Sequence, residues 1–214
     1  MYESEKKAVL DAAIEIKRNN LISLSGGNVS VRLPDGNFLV TPSGMIYEEM
    51  IPDDVVCVDA SGKVIEGCRR PSSDLDALLY IFQKMPWVNA VIHTHQPWAT
   101  AVGLVTDVFP ACLVTMIDAN RGDVHVAPFT PSGEKQMGVL TVEYAHDAWA
   151  VILKHHGVMA FGPTLKDAVY SAVYLEESAK TYMIAKSVGE VPALDPALVA
   201  IEADSWKNYG QPTT

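Results

Sequence analysis

Two apolar runs, Ala90-Val91-Ile92 and Ala150-Val151-Ile152-Leu153, each close on a pair of histidines, and nothing else constrains this chain as much. Both runs read as strands. The first ends in His93-Thr94-His95. Side chains alternate faces along a strand, so residues two apart point the same way. His93 and His95 therefore project together from one strand end, which is half of a metal site. The second run ends in Lys154-His155-His156-Gly157 and offers a further imidazole, while Asp74 lies upstream of the first pair. Three imidazoles and a carboxylate suit Zn²⁺ or a similar divalent ion. A histidine at a strand end equally fits an ordinary hydrogen-bonded residue, and the spacing alone leaves both readings open.

The chain has 214 residues, enough for one domain over 1–214 with a substantial core. Its net charge of -10 argues against a nucleic-acid surface and against binding to an anionic membrane. An anionic substrate would have to be held by backbone amides and local charges, against the overall field. Cys57, Cys68 and Cys112 are odd in number and lack metal spacing, so they read as reduced thiols. The start of the chain runs into an amphipathic helix without the apolar core of a signal peptide. No apolar run is long enough to span a bilayer. The expected location is the cytoplasm.

The opening helix is predicted over 5–18, where Val9, Leu10, Ala13, Ile14 and Ile16 fall at near-helical spacing. A turn at Ser25-Gly26-Gly27-Asn28 leads into a strand over 29–33. Pro34-Asp35-Gly36-Asn37 turns that strand into the next, 38–41, and a second hairpin is predicted from 55–58 and 63–65. Pro71-Ser72-Ser73-Asp74 looks like a helix start, with Leu75, Leu78, Leu79 and Phe82 on one face. Later elements are a strand over 111–116, a helix from about Ser132 to Tyr144, strands either side of Gly157, a long helix over 165–186 and a last short helix. No repeat or linker is evident. The pattern predicts a single α/β domain with a central mixed or antiparallel sheet flanked by helices in three layers.

Gly27-Asn28-Val29-Ser30, Thr41-Pro42-Ser43-Gly44, Pro71-Ser72-Ser73-Asp74, His93-Thr94-His95 and His155-His156-Gly157, in this order, resemble the class II aldolase/epimerase family. The resemblance runs over nearly the whole chain. It implies that His93, His95 and His156 bind zinc, and that Gly27, Asn28, Ser43, Gly44, Ser72 and Ser73 cradle a sugar phosphate. Glycine lets backbone N–H groups approach an anion, and hydroxyls add donors. Ser72 and Ser73 at a helix start would also present the phosphate to the positive end of the helix dipole. The resemblance further implies a homotetramer with active sites between subunits.

Within the family, inversion at C4 of a ketopentose 5-phosphate cannot proceed by simple proton abstraction, because the C2 carbonyl does not acidify that position. Breaking the C3–C4 bond by a retro-aldol step leaves an enediolate and an aldehyde that can rotate and rejoin. An epimerase needs proton exchange on both faces of the aldehyde, whereas an aldolase needs an acid/base at the enediolate carbon. Three residues lean toward epimerases. Asp74 stands where aldolases typically carry Glu, and epimerases place the shorter acid at the metal. Asp118 precedes Gly122 by four residues, like the proposed acid/base of epimerases. Tyr209-Gly210-Gln211 resembles the epimerase tail, whose tyrosine is the other proposed acid/base and reaches into a neighbouring subunit's site.

Other features lean away. The segment from Asp118 to His156 is nearer the aldolases in length, Thr41 replaces a basic residue common in epimerases, and Leu78 stands where many members have His. The expectation is a zinc-dependent epimerase interconverting L-ribulose 5-phosphate and D-xylulose 5-phosphate, with other divalent ions accepted. Its rivals are cleavage of L-fuculose 1-phosphate or a related ketose 1-phosphate, the decarboxylase and dehydratase branches, and a non-catalytic adducin-like head. His125 and His146 read as structural, His155 as structural or adjoining the metal, and Glu176 and Glu177 as a surface or packing pair.

Overall fold

Strand pairing decides the architecture, and the alternation of side chains along each strand decides what lies on either side of it. In a computed structural model that describes residues 1–206 and 211, the described residues form a nine-stranded sheet. Its strands are β1 (Asn28–Arg32), β2 (Phe38–Val40), β3 (Val56–Val58), β4 (Val64–Glu66), β5 (Ala90–Thr94), β6 (Val108–Phe109), β7 (Val124–Ala127), β8 (Ala150–Leu153) and β9 (Gly157–Gly162). They lie in the order β4-β3-β2-β1-β5-β9-β8-β7-β6. β7 and β8 are parallel; the other neighbours are antiparallel. The sheet is therefore mixed, as the sequence led one to expect.

Each face buries its own core. Ala90, Ile92, Ile152, Val158 and Ala160 pack on one side with α1 (Glu3–Arg18), α3 (Pro97–Val105), α4 (Val114–Asn120) and α6 (Leu165–Lys186). Val91, Val151, Leu153, Met159 and Phe161 pack on the other with α2 (Leu75–Lys84) and α5 (Lys135–Ala145). The result is three layers, helices–sheet–helices. A last helix, α7 (Pro196–Ser205), has no buried residue and lies against α4.

Local chemistry sets most of the boundaries. In α1, Glu3 and Glu5 in the first turn and Lys17 and Arg18 in the last match the helix dipole. α6 begins where the Thr164 hydroxyl accepts the Asp167 amide at 3.1 Å, and it spans the predicted range. The β3–β4 turn is drawn in by Asp59, whose Oδ1 accepts the Ser61 and Lys63 amides.

Three expectations need correction. The sequence predicts a strand over 111–116, yet residues 111–113 are not in a strand and α4 starts at Val114. Packing overrides propensity here. Met116, Ile117, Ala119 and Asn120 are buried at helical spacing, and Asn120 exchanges hydrogen bonds with Ser171 of α6. The helix expected from Ser132 starts instead at Lys135, because Gly133 turns through φ +76 just before it. Glu176 and Glu177 are not a pair, since Glu176 is buried within the fold and Glu177 is exposed.

Candidate metal centre and phosphate pocket

β5 pairs with β1 on one side and β9 on the other, and its register sets Asn28, His93 and Met159 side by side across the sheet. His93 therefore shares the face of Val91 and Met159, toward α2 and α5, and His95 follows it. β8 and β9 are joined through 154–156, where His155 takes φ +62 and the His156 amide donates to the Leu153 carbonyl at 3.0 Å. This tight hairpin turns the His156 ring toward the end of β5. The ligand nitrogens of His93, His95 and His156 all lie within 4.8 Å of one another.

Donor chemistry favours a cation among them. His93 Nδ1 sits 3.0 Å from the Val158 carbonyl oxygen, which can only accept, so Nδ1 carries the proton. Its Nε2 lone pair then faces inward, 3.2 Å from His95 Nε2. Metal–nitrogen bonds of about 2.0–2.1 Å in a tetrahedron put neighbouring donors roughly 3.3–3.4 Å apart. A carbonyl fixing the outer nitrogen of a ligand histidine is the usual way such a ring is oriented.

Burial keeps these rings neutral. His93 is 1 % exposed, and burial with the neighbouring His95 and His156 holds its pKa down to about 3. Burial also lowers His95 and His156, opposed in both by the Asp74 carboxylate. An unfolded histidine titrates near 6.5. Between those values the unfolded chain binds a proton that the native state refuses, so stability is lost as pH falls. Metal-free protein is expected to lose about 1.4 kcal/mol per pH unit below pH 6.5 through His93 alone. Urea unfolding of chelator-treated protein at pH 7 and pH 5 checks this; equal midpoints would mean that the native state accommodates the imidazolium.

Asp74 stands at the head of α2 and lines the same cavity, but it lies outside the three-histidine group. Its Oδ2 accepts from Asn28 Nδ2 at 2.8 Å and its Oδ1 from the Gly133 amide at 3.1 Å. Both oxygens are thus oriented by the protein, and the charge faces the imidazoles. Asn28, expected in the phosphate cradle, spends its amide group on Asp74, and its Oδ1 has no partner among the described residues.

The cavity measures about 300 Å³. Gly27, Ser43, Gly44, Ser72 and Ser73 line it together with the histidines, so the sequence-predicted cradle residues, Asn28 excepted, are gathered at one opening. A short bridge holds two of their loops side by side. Pro42 pairs with Pro71, the Ser43 amide donates to the Arg70 carbonyl, and the Ser72 amide donates to the Thr41 carbonyl. Thr41 itself faces inward, where its Oγ1 accepts the Val29 amide at 3.1 Å. Among the described lining residues none is Lys or Arg, so an anion would meet amides and hydroxyls.

Sequence reasoning missed several members of the site. Ser25, Gly26 and Ser132 line the cavity, and Gly133 holds Asp74. A signal for the latter pair was present, because Thr130-Pro131-Ser132-Gly133 repeats Thr41-Pro42-Ser43-Gly44 letter for letter. Both glycines adopt the left-handed conformation, φ +70 and +76. Tyr47 supports the floor by donating to the Gly27 carbonyl at 2.9 Å; burial pushes its pKa up to about 12, so it stays a donor.

Other expected residues lie elsewhere. Asp118, on α4, is not among the cavity-lining residues. Burial raises its pKa, as does Glu202 of α7, with Arg121 opposing, and its Oδ1 has no partner among the described residues. Tyr209 lies outside the described residues. His155, read as structural or adjoining the metal, is instead an exposed hairpin residue with its ring 6.3 Å from Phe129. The His125 and His146 rings lie 4.3 Å apart at 59° to each other, away from the cavity. No helix among the described residues is long and apolar enough to cross a membrane.

Residues 7–183 match the family described as Class II Aldolase and Adducin N-terminal domain. The chain is 33 % identical over 213 residues to a 5-deoxy-D-ribulose 1-phosphate aldolase of Bacillus thuringiensis serovar kurstaki, covering 99 % of each. It is 35 % identical over 203 residues to the L-ribulose-5-phosphate 4-epimerase UlaF of Salmonella paratyphi C, covering 89 % of this chain and 88 % of that one. Among solved structures, an L-fuculose 1-phosphate aldolase superposes with a TM-score of 0.89 at 30 % identity, over 94 % of this chain and 95 % of the other.

Proposed function

The chain belongs to the class II aldolase and adducin N-terminal domain family, and from that premise we propose that it is a divalent-metal-dependent enzyme that breaks and re-forms a carbon–carbon bond in a ketose phosphate. The observation that carries this reading is the convergence of His93, His95 and His156 in a cavity whose other walls are serines, glycines, Pro42 and the Asp74 carboxylate. A divalent ion such as Zn²⁺ held there supplies Lewis-acid stabilisation of the negative charge that develops on the substrate's oxygens during cleavage.

The chain's own residues supply the rest. Gly27, Ser43, Gly44, Ser72 and Ser73 receive the phosphate through N–H and O–H donors, close to the head of α2. Asp74, clamped by Asn28 and Gly133, keeps a fixed negative charge beside the imidazoles and so favours a cation among them. In the finer reading the substrate pair is L-ribulose 5-phosphate and D-xylulose 5-phosphate. Asp118 and Tyr209 then exchange protons with the C4 oxygen on opposite faces of the aldehyde. Since Asp118 does not line the cavity of its own chain, this reading needs a neighbouring subunit, as in a homotetramer. Asp74 in place of Glu, Asp118 ahead of Gly122, and the Tyr209-Gly210-Gln211 tail support it.

A second reading has its own support. The aldolase relative is matched over 99 % of both chains, which favours cleavage of a ketose 1-phosphate to dihydroxyacetone phosphate and an aldehyde. One experiment separates the two. Metal-loaded protein is given L-ribulose 5-phosphate and followed by NMR, and D-xylulose 5-phosphate is expected to accumulate without free fragments. No conversion, together with dihydroxyacetone phosphate released from a ketose 1-phosphate, would establish the aldolase and overturn the epimerase.

A further inference from the structure

Glu176 is 8 % exposed, an ionisable side chain of α6 that the proposed chemistry does not use. Its Oε1 accepts the Trp98 amide and its Oε2 the Ala99 amide, both at 2.9 Å. These are early amides of α3, which have no partner within their own helix. Gln96, at the cap position, makes no side-chain cap bond. A carboxylate from α6 therefore does what a local Ser or Asp does at other helix starts, at the positive end of the helix.

One turn earlier on α6, the Ala172 carbonyl accepts from Gln96 Nε2 at 3.3 Å, and Gln96 Oε1 accepts from the Thr94 hydroxyl at 2.6 Å. Gln96 and Thr94 are both fully buried. His95 sits between them, its own amide donating to the Leu21 carbonyl at 3.1 Å. Alternation along the strand sends Thr94 and Gln96 toward α6 and the two imidazoles to the opposite face. The backbone that aims His95 is thus fixed from behind by groups on α6.

We propose that Glu176, with Gln96, is a positioning residue of the metal centre: it locks the β5–α3 junction against α6 and so sets the direction in which His95 presents its ring to an ion. The proposal rests on the metal reading of the three imidazoles. Groups that orient ligand histidines are worth about 10–100-fold in metal affinity. Glu176 acts through the backbone, so about tenfold is expected.

The test uses the full-length protein and two probes, Zn²⁺ by chelator competition and Co²⁺ by its visible spectrum. Glu176→Gln keeps the shape and one acceptor but turns an amide N–H toward a backbone N–H. It is expected to weaken Zn²⁺ binding about tenfold and to shift the Co²⁺ bands. Val58→Ala, in the core under α2, provides a variant with lowered melting temperature and an untouched site. If Glu176→Gln lowers the melting temperature as Val58→Ala does while Zn²⁺ affinity and the Co²⁺ spectrum stay those of the wild type, Glu176 is a helix cap only and the proposal falls. Should Glu176→Gln fail to fold, Gln96→Leu removes the companion tie and is judged by the same two readouts. A wild-type protein that takes up neither ion would sink the metal reading, and the proposal with it.

Discussion

His93→Ala is expected to strip the protein of its metal. His93 is the most deeply buried of the three imidazoles, with one nitrogen donating to Val158 and the other facing His95. Structural zinc sites bind with roughly 10–16 kcal/mol in all, and losing one of three protein ligands should remove about 3–5 kcal/mol, or about 10²–10⁴ in affinity. Metal content of the purified variant, measured by elemental analysis after dialysis against a weak chelator, is expected to fall near zero while circular dichroism stays native. His155→Ala serves as the comparison, because that ring lies in the exposed hairpin outside the cluster. Equal metal in both variants would remove His93 from the site and undo the cavity's functional reading.

The second large effect comes from a residue with no side chain. A Cβ on Gly157 would stand 2.0 Å from the Thr94 carbonyl oxygen and 3.2 Å from the His95 Cα, so β9 can approach β5 here only as glycine. Neither atom can retreat cheaply, since the same backbone carries His93 and His95. Gly157→Ala is expected to cost about 3 kcal/mol or more, beyond ordinary overpacking because the clash is with backbone. For a chain of this size that corresponds to a drop of about 6–12 °C in melting temperature. Thermal unfolding in the presence of chelator reads this directly, and a change of under about 2 °C would show that the two strands can part without penalty. Metal affinity should fall in parallel, because the clash bears on the strand that presents both imidazoles.

Much of this was legible in the letters, for identifiable reasons. The strand at His93 announces itself as a short uninterrupted apolar run, and the structure buries it on both faces. Strand alternation, a local fact, suffices to pair His93 with His95, whereas His156 is singled out over His155 only by the resemblance to the family. The helix over Val114–Asn120 could not be foreseen, because its β-branched letters favour a strand and only Ser171 and the core under α6 decide otherwise. Asp74 is legible as a candidate acid, and the structure sets it in the cavity but outside the three-histidine group; its partners Asn28 and Gly133 are beyond local reading, being 46 and 59 residues away along the chain. Glu176 was missed for a like reason. Its neighbours in sequence suggest an acid on a helix surface, whereas its real partners are amides of another helix.

The pairing of β5 with β9 has a consequence for the order of events as the chain folds. His93 and the Val158 carbonyl that orients it are separated by 65 residues, so that orienting bond forms only when distant parts of the chain meet. Closing so long a loop is entropically slow compared with forming α1 or the β8–β9 hairpin. Metal capture with native affinity must therefore wait until the middle of the sheet has zipped. An ion held by these imidazoles would therefore bind late, as a seal on a finished sheet.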